Sequence, residues 1–208
     1  MLKLHGMSRS NYHNLAKACL LYKGMPFEEA KAVPNQEADY LSKSPMGKVP
    51  CLETDEGFIS ETLAIAEYLD ALQPEKPLLP VEPYARGKAL ELIRHVELDI
   101  ELVARRCLPA AFFGATASEE LKETTAKELK RGVKALARLY VCDPYATGSS
   151  LNLADLYTYF SFGLASSIVQ TIFEEDLLAE LPQVRALMDR LAEEDIILEV
   201  AGAQGTSS

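Results

Sequence analysis

Ser44-Pro45-Met46-Gly47-Lys48-Val49-Pro50-Cys51-Leu52 is followed, eleven residues after Pro50, by Glu61-Thr62-Leu63-Ala64-Ile65. The first stretch sets a Gly turn, a Val-Pro step and a short apolar run in a row, the pattern of a proline at the entry of a strand. In the cis form such a step turns the Val49 N–H and C=O outward, where they can pair with an extended peptide. The Glu-Thr pair opens a helix, whose first N–H groups and positive dipole end attract a carboxylate while the acidic side chain holds an ammonium. An amino acid zwitterion satisfies both.

Outward from this core, the first half alternates strand and helix. Strands are predicted at Lys3–His5, Glu28–Ala32, Pro50–Thr54 and Phe58–Ser60, and helices over Asn11–Lys23 and Glu61–Leu72. Leu15, Ala18, Cys19 and Tyr22 recur at helical spacing, Gly24 and Pro26 stop that helix, and Asp55-Glu56-Gly57 supplies a hairpin turn. A helical turn within Pro34–Tyr40 completes the order β-α-β-α-β-β-α. Pro74, Pro77, Pro80 and Pro83 then crowd a segment that no helix or central strand tolerates.

Beyond the prolines the pattern is helical throughout. Leu90, Ile93, Val96, Ile100 and Val103 make one apolar stripe, Leu121, Thr125, Leu129, Val133, Leu136 and Tyr140 a second, and Val184, Leu187, Met188 and Leu191 a third. Asn152 and Asp155 have the spacing of a capping box, with Leu151 ahead of it as a staple, so a buried helix is predicted to start there. Gly163 is read as a close helix crossing and Ala201–Ser208 as a loose tail. The expected architecture is α/β plus all-α, with a first domain over 1–76, a proline-rich linker over 77–83 and an all-α domain over 84–208.

Bulk composition narrows the partners. The 208 residues are 48% hydrophobic and 25% charged, with 31 acidic against 21 basic side chains and a formal charge of −10. That balance repels phosphate backbones and anionic lipid, so neither nucleic acid nor membrane is the expected partner. A small molecule or a protein is. The chain start lacks the apolar core of a signal peptide, and Cys19, Cys51, Cys107 and Cys142 show no C-x-x-C or ligand spacing, which together suit a reducing, cytoplasmic setting. His5, His13 and His95 share no ligand spacing, so no metal is expected.

Ser44-Pro45-x-Gly47-x-Val49-Pro50 and Glu61-Thr62-x-Ala64-Ile65-x-x-Tyr68-Leu69, supported by Leu153-Ala154-Asp155 and Leu181-Pro182-x-Val184, resemble the cytosolic glutathione transferases over essentially the whole chain. The likeness is to bacterial-type members with Ser or Asn at the activating position. It implies a thioredoxin-like first domain that binds glutathione as co-substrate, an all-helical second domain that binds a small electrophile, detoxification-type chemistry and a homodimer. It further implies that Val49, held by Pro50, pairs with the cysteinyl backbone of glutathione, that Glu61 and Thr62 receive the γ-glutamyl end, and that Lys48 lies within reach of the ligand. Thr62 stands where the family has Ser, and keeps the hydroxyl.

In that family the nucleophile is the glutathione thiol itself. Lowering a thiol pKa from about 8.5 by two units requires about 2.7 kcal/mol of differential interaction, the size of one or two charge-assisted hydrogen bonds plus a helix dipole. Counting back from Lys23-Gly24, the family's activating residue falls on Ser10, although the family often has Pro at the place of Asn11 and a basic residue at the place of Asn14. Asn11 is the second candidate through its N–H; Tyr12, Ser8 and backbone N–H groups are further ones. No Cys occupies these positions, which disfavours a mixed disulfide with the protein. Taken singly, Ser10 and Ser60 have the positions of helix N-caps, Pro50 that of an edge-strand proline and Glu61 that of a first-turn acid; the ligand reading rests on their joint spacing. Glutathione-dependent reduction of a disulfide or peroxide, and a non-catalytic binding module, are the competing functions.

Overall fold

The computed structural model describes residues 1–205, which fall into two units: Met1–Leu79 together with the C-terminal stretch from Ala192, and Pro80–Leu191. In the first unit β1 (Leu2–Gly6) buries Leu4 and Gly6 and runs into α1 (Asn11–Lys23). Ser10 caps α1 by accepting the His13 N–H, and Gly24, at φ 67°, ends it in the left-handed region with its N–H on the Leu20 and Leu21 carbonyls. The helix buries Leu15, Ala16, Ala18, Cys19 and Leu20. β2 (Phe27–Lys31) returns parallel to β1, and a single turn, α2 (Ala38–Leu41), precedes the hairpin β3 (Cys51–Thr54) and β4 (Gly57–Ser60). α3 (Thr62–Leu72) follows directly, and the strand order is β2-β1-β3-β4.

One buried ion pair ties the ends of two helices together. Lys23 Nζ donates to Asp70 at 2.8 Å and to the Gln73 and Lys76 carbonyls at 2.6 and 2.9 Å. Asp70 in turn accepts the Leu78 and Leu79 N–H groups. With every polar atom answered, the pair holds the chain leaving α3 onto the end of α1.

In the second unit Glu82 caps α4 (Pro83–His95), with Pro83 at the first helical position where its missing N–H costs nothing. The helix widens into a π turn over Val96–Glu101 and continues through α5 (Leu102–Ala104), a 3-10 turn at Arg105–Cys107 and α6 (Leu108–Phe112). Arg105 donates to buried Glu101 and Arg106 to Glu128, so both arginines are engaged within this unit. Three more helices follow: α7 (Glu119–Leu136), α8 (Leu153–Phe173) and α9 (Pro182–Leu191). The capping box that starts α8 has the Asn152 side chain on the Ala154 N–H and the Asp155 carboxylate on the Asn152 N–H, with Asp155 also accepting from Ala146 at 2.7 Å.

Some expectations need correction. Gly163 is exposed with open space around it, whereas Gly132 makes the close crossing: a Cβ there would stand 2.5 Å from the Asp99 carbonyl oxygen. Ser60 does not cap α3, because it is a strand residue paired with Cys51 and Glu61 takes the cap position. The last helix, α10 (Asp195–Gly205), packs on α1 in the first unit rather than with the helical half, burying Ile197 and Val200. The part of the expected loose tail up to Gly205 is therefore helical, and Thr206–Ser208 lie outside the described residues.

Candidate functional site

Sheet register brings the three sequence-predicted segments together. In β3, Cys51 is paired with His5 of β1 on one side and with Ser60 of β4 on the other, both antiparallel. The chain therefore leaves β1, enters β3 and leaves β4 at one end of the sheet. Met7–Ser10, Lys48–Pro50 and Glu61–Thr62 are the segments that emerge there.

The middle segment presents a backbone. The Val49–Pro50 bond is cis and Pro50 is buried, while the Lys48 side chain is exposed. Among the described residues, neither the N–H nor the C=O of Val49 is engaged by another protein group. Two hydroxyls converge on the preceding carbonyl: Tyr40 Oη donates to Lys48 C=O at 3.1 Å and Ser44 Oγ at 2.8 Å. Gly47, at φ 63°, closes the turn against Asn35, whose carbonyl oxygen would be 2.0 Å from any Cβ placed there. Only glycine fits. Next to Pro50, burial pushes the Cys51 thiol up to about 11, so it stays protonated and inert.

Glu61 and Thr62 form the head of α3. Glu61 takes φ 70° and ψ 120°, is exposed, and makes no side-chain capping bond. The first N–H groups of α3 are thus left uncapped by Glu61, at the positive end of the helix dipole. Thr62 is buried, and its hydroxyl donates to the Tyr12 carbonyl at 3.5 Å, linking α3 to the first turn of α1.

At the head of α1, Ser10 N–H bonds Met7 C=O at 2.9 Å and Asn14 Nδ2 donates to Ser8 C=O at 2.8 Å, which folds Ser8–Ser10 onto the helix. Ser10 Oγ accepts the His13 N–H at 3.2 Å. A hydroxyl that accepts still has a proton to donate, so the cap role and a role toward an anion are compatible. Asn11 and Tyr12 occupy the first helical turn beside it. His13 is buried, its Nε2 3.2 Å from Glu29 of β2, and Glu29 also takes Lys17. Burial lowers the His13 pKa against the opposing pull of Glu29, which keeps the ring neutral near pH 7.

Ser8, Ser10, Lys48, Val49, Pro50, Glu61 and Thr62 therefore lie in the three segments at one end of one sheet, and Asn11 and Tyr12 in the helical turn that directly follows the first of them. What the sequence reading missed are Tyr40, Ser44 and Asn14, which hold those segments from behind; Ser44 begins the quoted motif, and hydroxyls that bond a carbonyl carry no further sequence mark. Among the described residues no three His, Cys, Asp or Glu side chains are grouped to hold a metal ion, and no helix is long and apolar enough to cross a membrane.

The glutathione S-transferase N-terminal domain model matches residues 4–77. A glutathione S-transferase of Pseudomonas putida is 44% identical over 193 residues, spanning 93% of this chain and 88% of that one. Among solved structures, a bacterial zeta-class maleyl pyruvate isomerase in its holo form superposes with a TM-score of 0.78 at 25% identity, covering 99% of each chain. Glutathione transferase F2 of Populus trichocarpa shares the fold, with a TM-score of 0.83 at 15% identity over the full length of both.

Proposed function

This chain belongs to the glutathione S-transferase family, and from that premise we propose that it binds glutathione across the three segments at the sheet end and joins it through its sulfur to a small, largely apolar electrophile. The observation that carries the reading is the register that gathers Ser10, Val49 and Glu61–Thr62 at one end of the sheet. Val49 pairs through N–H and C=O with the cysteinyl backbone of the tripeptide. The uncapped first turn of α3 receives the γ-glutamyl carboxylate, the Glu61 carboxylate its ammonium, and Lys48 reaches the ligand from the exposed turn.

Extended between these points, the ligand brings its sulfur to the head of α1. There the Ser10 O–H donates to the thiolate, assisted by the Asn11 N–H and the helix dipole. The stabilised thiolate forms a carbon–sulfur bond with the electrophile, either displacing a leaving group or adding to an activated double bond. Tyr12, in the same first turn of α1, contributes to the glutathione site. The chain acts as a homodimer with no metal.

The test is turnover of the purified protein on an aryl halide, with Ser10→Ala and Asn11→Ala beside it. The expected result is a fall of about tenfold or more in kcat for Ser10→Ala with KM for glutathione nearly unchanged. Full activity of Ser10→Ala with loss in Asn11→Ala would reassign the activating group to Asn11. Similarity to the maleyl pyruvate isomerase favours a second reading, in which the thiolate adds reversibly and is expelled after bond rotation. A cis-dicarboxylic alkene turned over without consumption of glutathione would select it.

A further inference from the structure

We propose that Tyr40 and Ser44 are positioning residues that aim the Val49 N–H at the cysteinyl carbonyl of glutathione, an inference that rests on the role of Val49 proposed above. Peptide planarity carries it. The Lys48–Val49 bond is trans, since the cis bonds are Val49–Pro50 and Asp143–Pro144, so Lys48 C=O and Val49 N–H point in opposite directions. Fixing one fixes the other. Both lone pairs of the Lys48 oxygen are taken from behind, by Tyr40 Oη at 3.1 Å and Ser44 Oγ at 2.8 Å.

The two donors are themselves immobilised. Tyr40 is 8% exposed and Ser44 1%, while the Lys48 side chain whose carbonyl they hold lies in solvent. Ser44 N–H donates to Tyr40 C=O at 2.9 Å, and Gly47 N–H to Ser44 C=O at 2.7 Å, so the donors and the turn they control form one hydrogen-bonded unit. Burial raises the Tyr40 phenol pKa, which keeps the group a donor over the working range. Without these bonds water competes for the Lys48 carbonyl, and the Val49 amide has to be ordered at the moment of binding.

The inference is tested by calorimetry of glutathione binding to the intact chain and to Tyr40→Phe, Ser44→Ala and the double variant. Each single change is expected to raise Kd about three- to tenfold and the pair further, with the pKa of the bound thiol unmoved, because each removes one net hydrogen bond of positioning. Ser44→Thr, which keeps the hydroxyl, is expected to bind like the parent. A glutathione analogue with the cysteinyl carbonyl reduced to a methylene separates aim from general damage. Its affinity penalty in the parent should shrink in the double variant, as a double-mutant cycle requires of coupled groups. Should the double variant not fold, the single variants carry the same comparison. Parent-like affinity in the variants, or an equal analogue penalty in all of them, overturns the inference alone; a parent that binds no glutathione overturns the role of Val49 and this inference with it.

Discussion

Glu61 carries a side chain where the backbone favours none. At φ 70° a non-glycine residue is held at a cost of about 1–3 kcal/mol, and such positions cluster where a ligand is gripped. Glu61→Gly is therefore expected to leave folding stability unchanged or to raise it by up to about 2 kcal/mol, the relieved strain being partly offset by the freer unfolded chain. Urea unfolding reads the first effect. Glutathione affinity of the same variant should fall, since Glu61 is the carboxylate proposed to hold the ammonium; a variant that is less stable and binds normally would remove Glu61 from the site. At this scale much was legible. Val49-Pro50 and Glu61-Thr62 stand in a spacing that few other purposes explain, and Ser10 sits where its helix must begin. Tyr40 and Asn14 were not, because their work is to bond a distant or looped carbonyl, and that depends on how the chain comes back on itself.

Helix α1 is anchored at its first turns by a polar cluster, with His13 and Lys17 buried and Glu29 exposed, rather than by apolar contact alone. His13 and Lys17 both meet Glu29 of β2, with His13 and Glu29 each holding a pKa below its ordinary value. Burial is the largest cause for His13, while for Glu29 burial opposes the shift and the bonds from Lys17 and His13 outweigh it. For both groups the unfolded chain binds protons at higher pH than the folded one. Stability is thus fully present above pH about 6.5 for His13 and above the ordinary carboxylate range for Glu29, and is lost as pH falls through the lowered folded values. The expected outcome is a urea midpoint that declines from pH 7 to pH 5 in the parent and declines less in His13→Gln; parallel declines would place the acid-sensitive groups elsewhere. The bounds of α1, Asn11 to Lys23, were legible because a capping serine and a left-handed glycine mark its ends. The close crossing was not: Gly163 lies in an apolar helix and Gly132 in a charged one, and nothing in either neighbourhood tells which faces another backbone.

Over the whole molecule, the division into an α/β part and a helical part follows from the prolines between Gln73 and Pro83, and the unit boundary at Leu79–Pro80 lies in that segment. The return of α10 to the first unit was hidden, since Ile197 and Val200 would serve any apolar surface equally well and sequence distance argues for the nearer one. What the molecule is built to do depends on one property, the charge state of a sulfur that belongs to its ligand. The most direct measurement is the ultraviolet titration of the thiolate in glutathione bound to the intact protein. The expected result is an apparent pKa about two units below the free value of about 8.5, returning toward it in Ser10→Ala. A bound thiol that titrates like the free one in the parent would contradict the central claim.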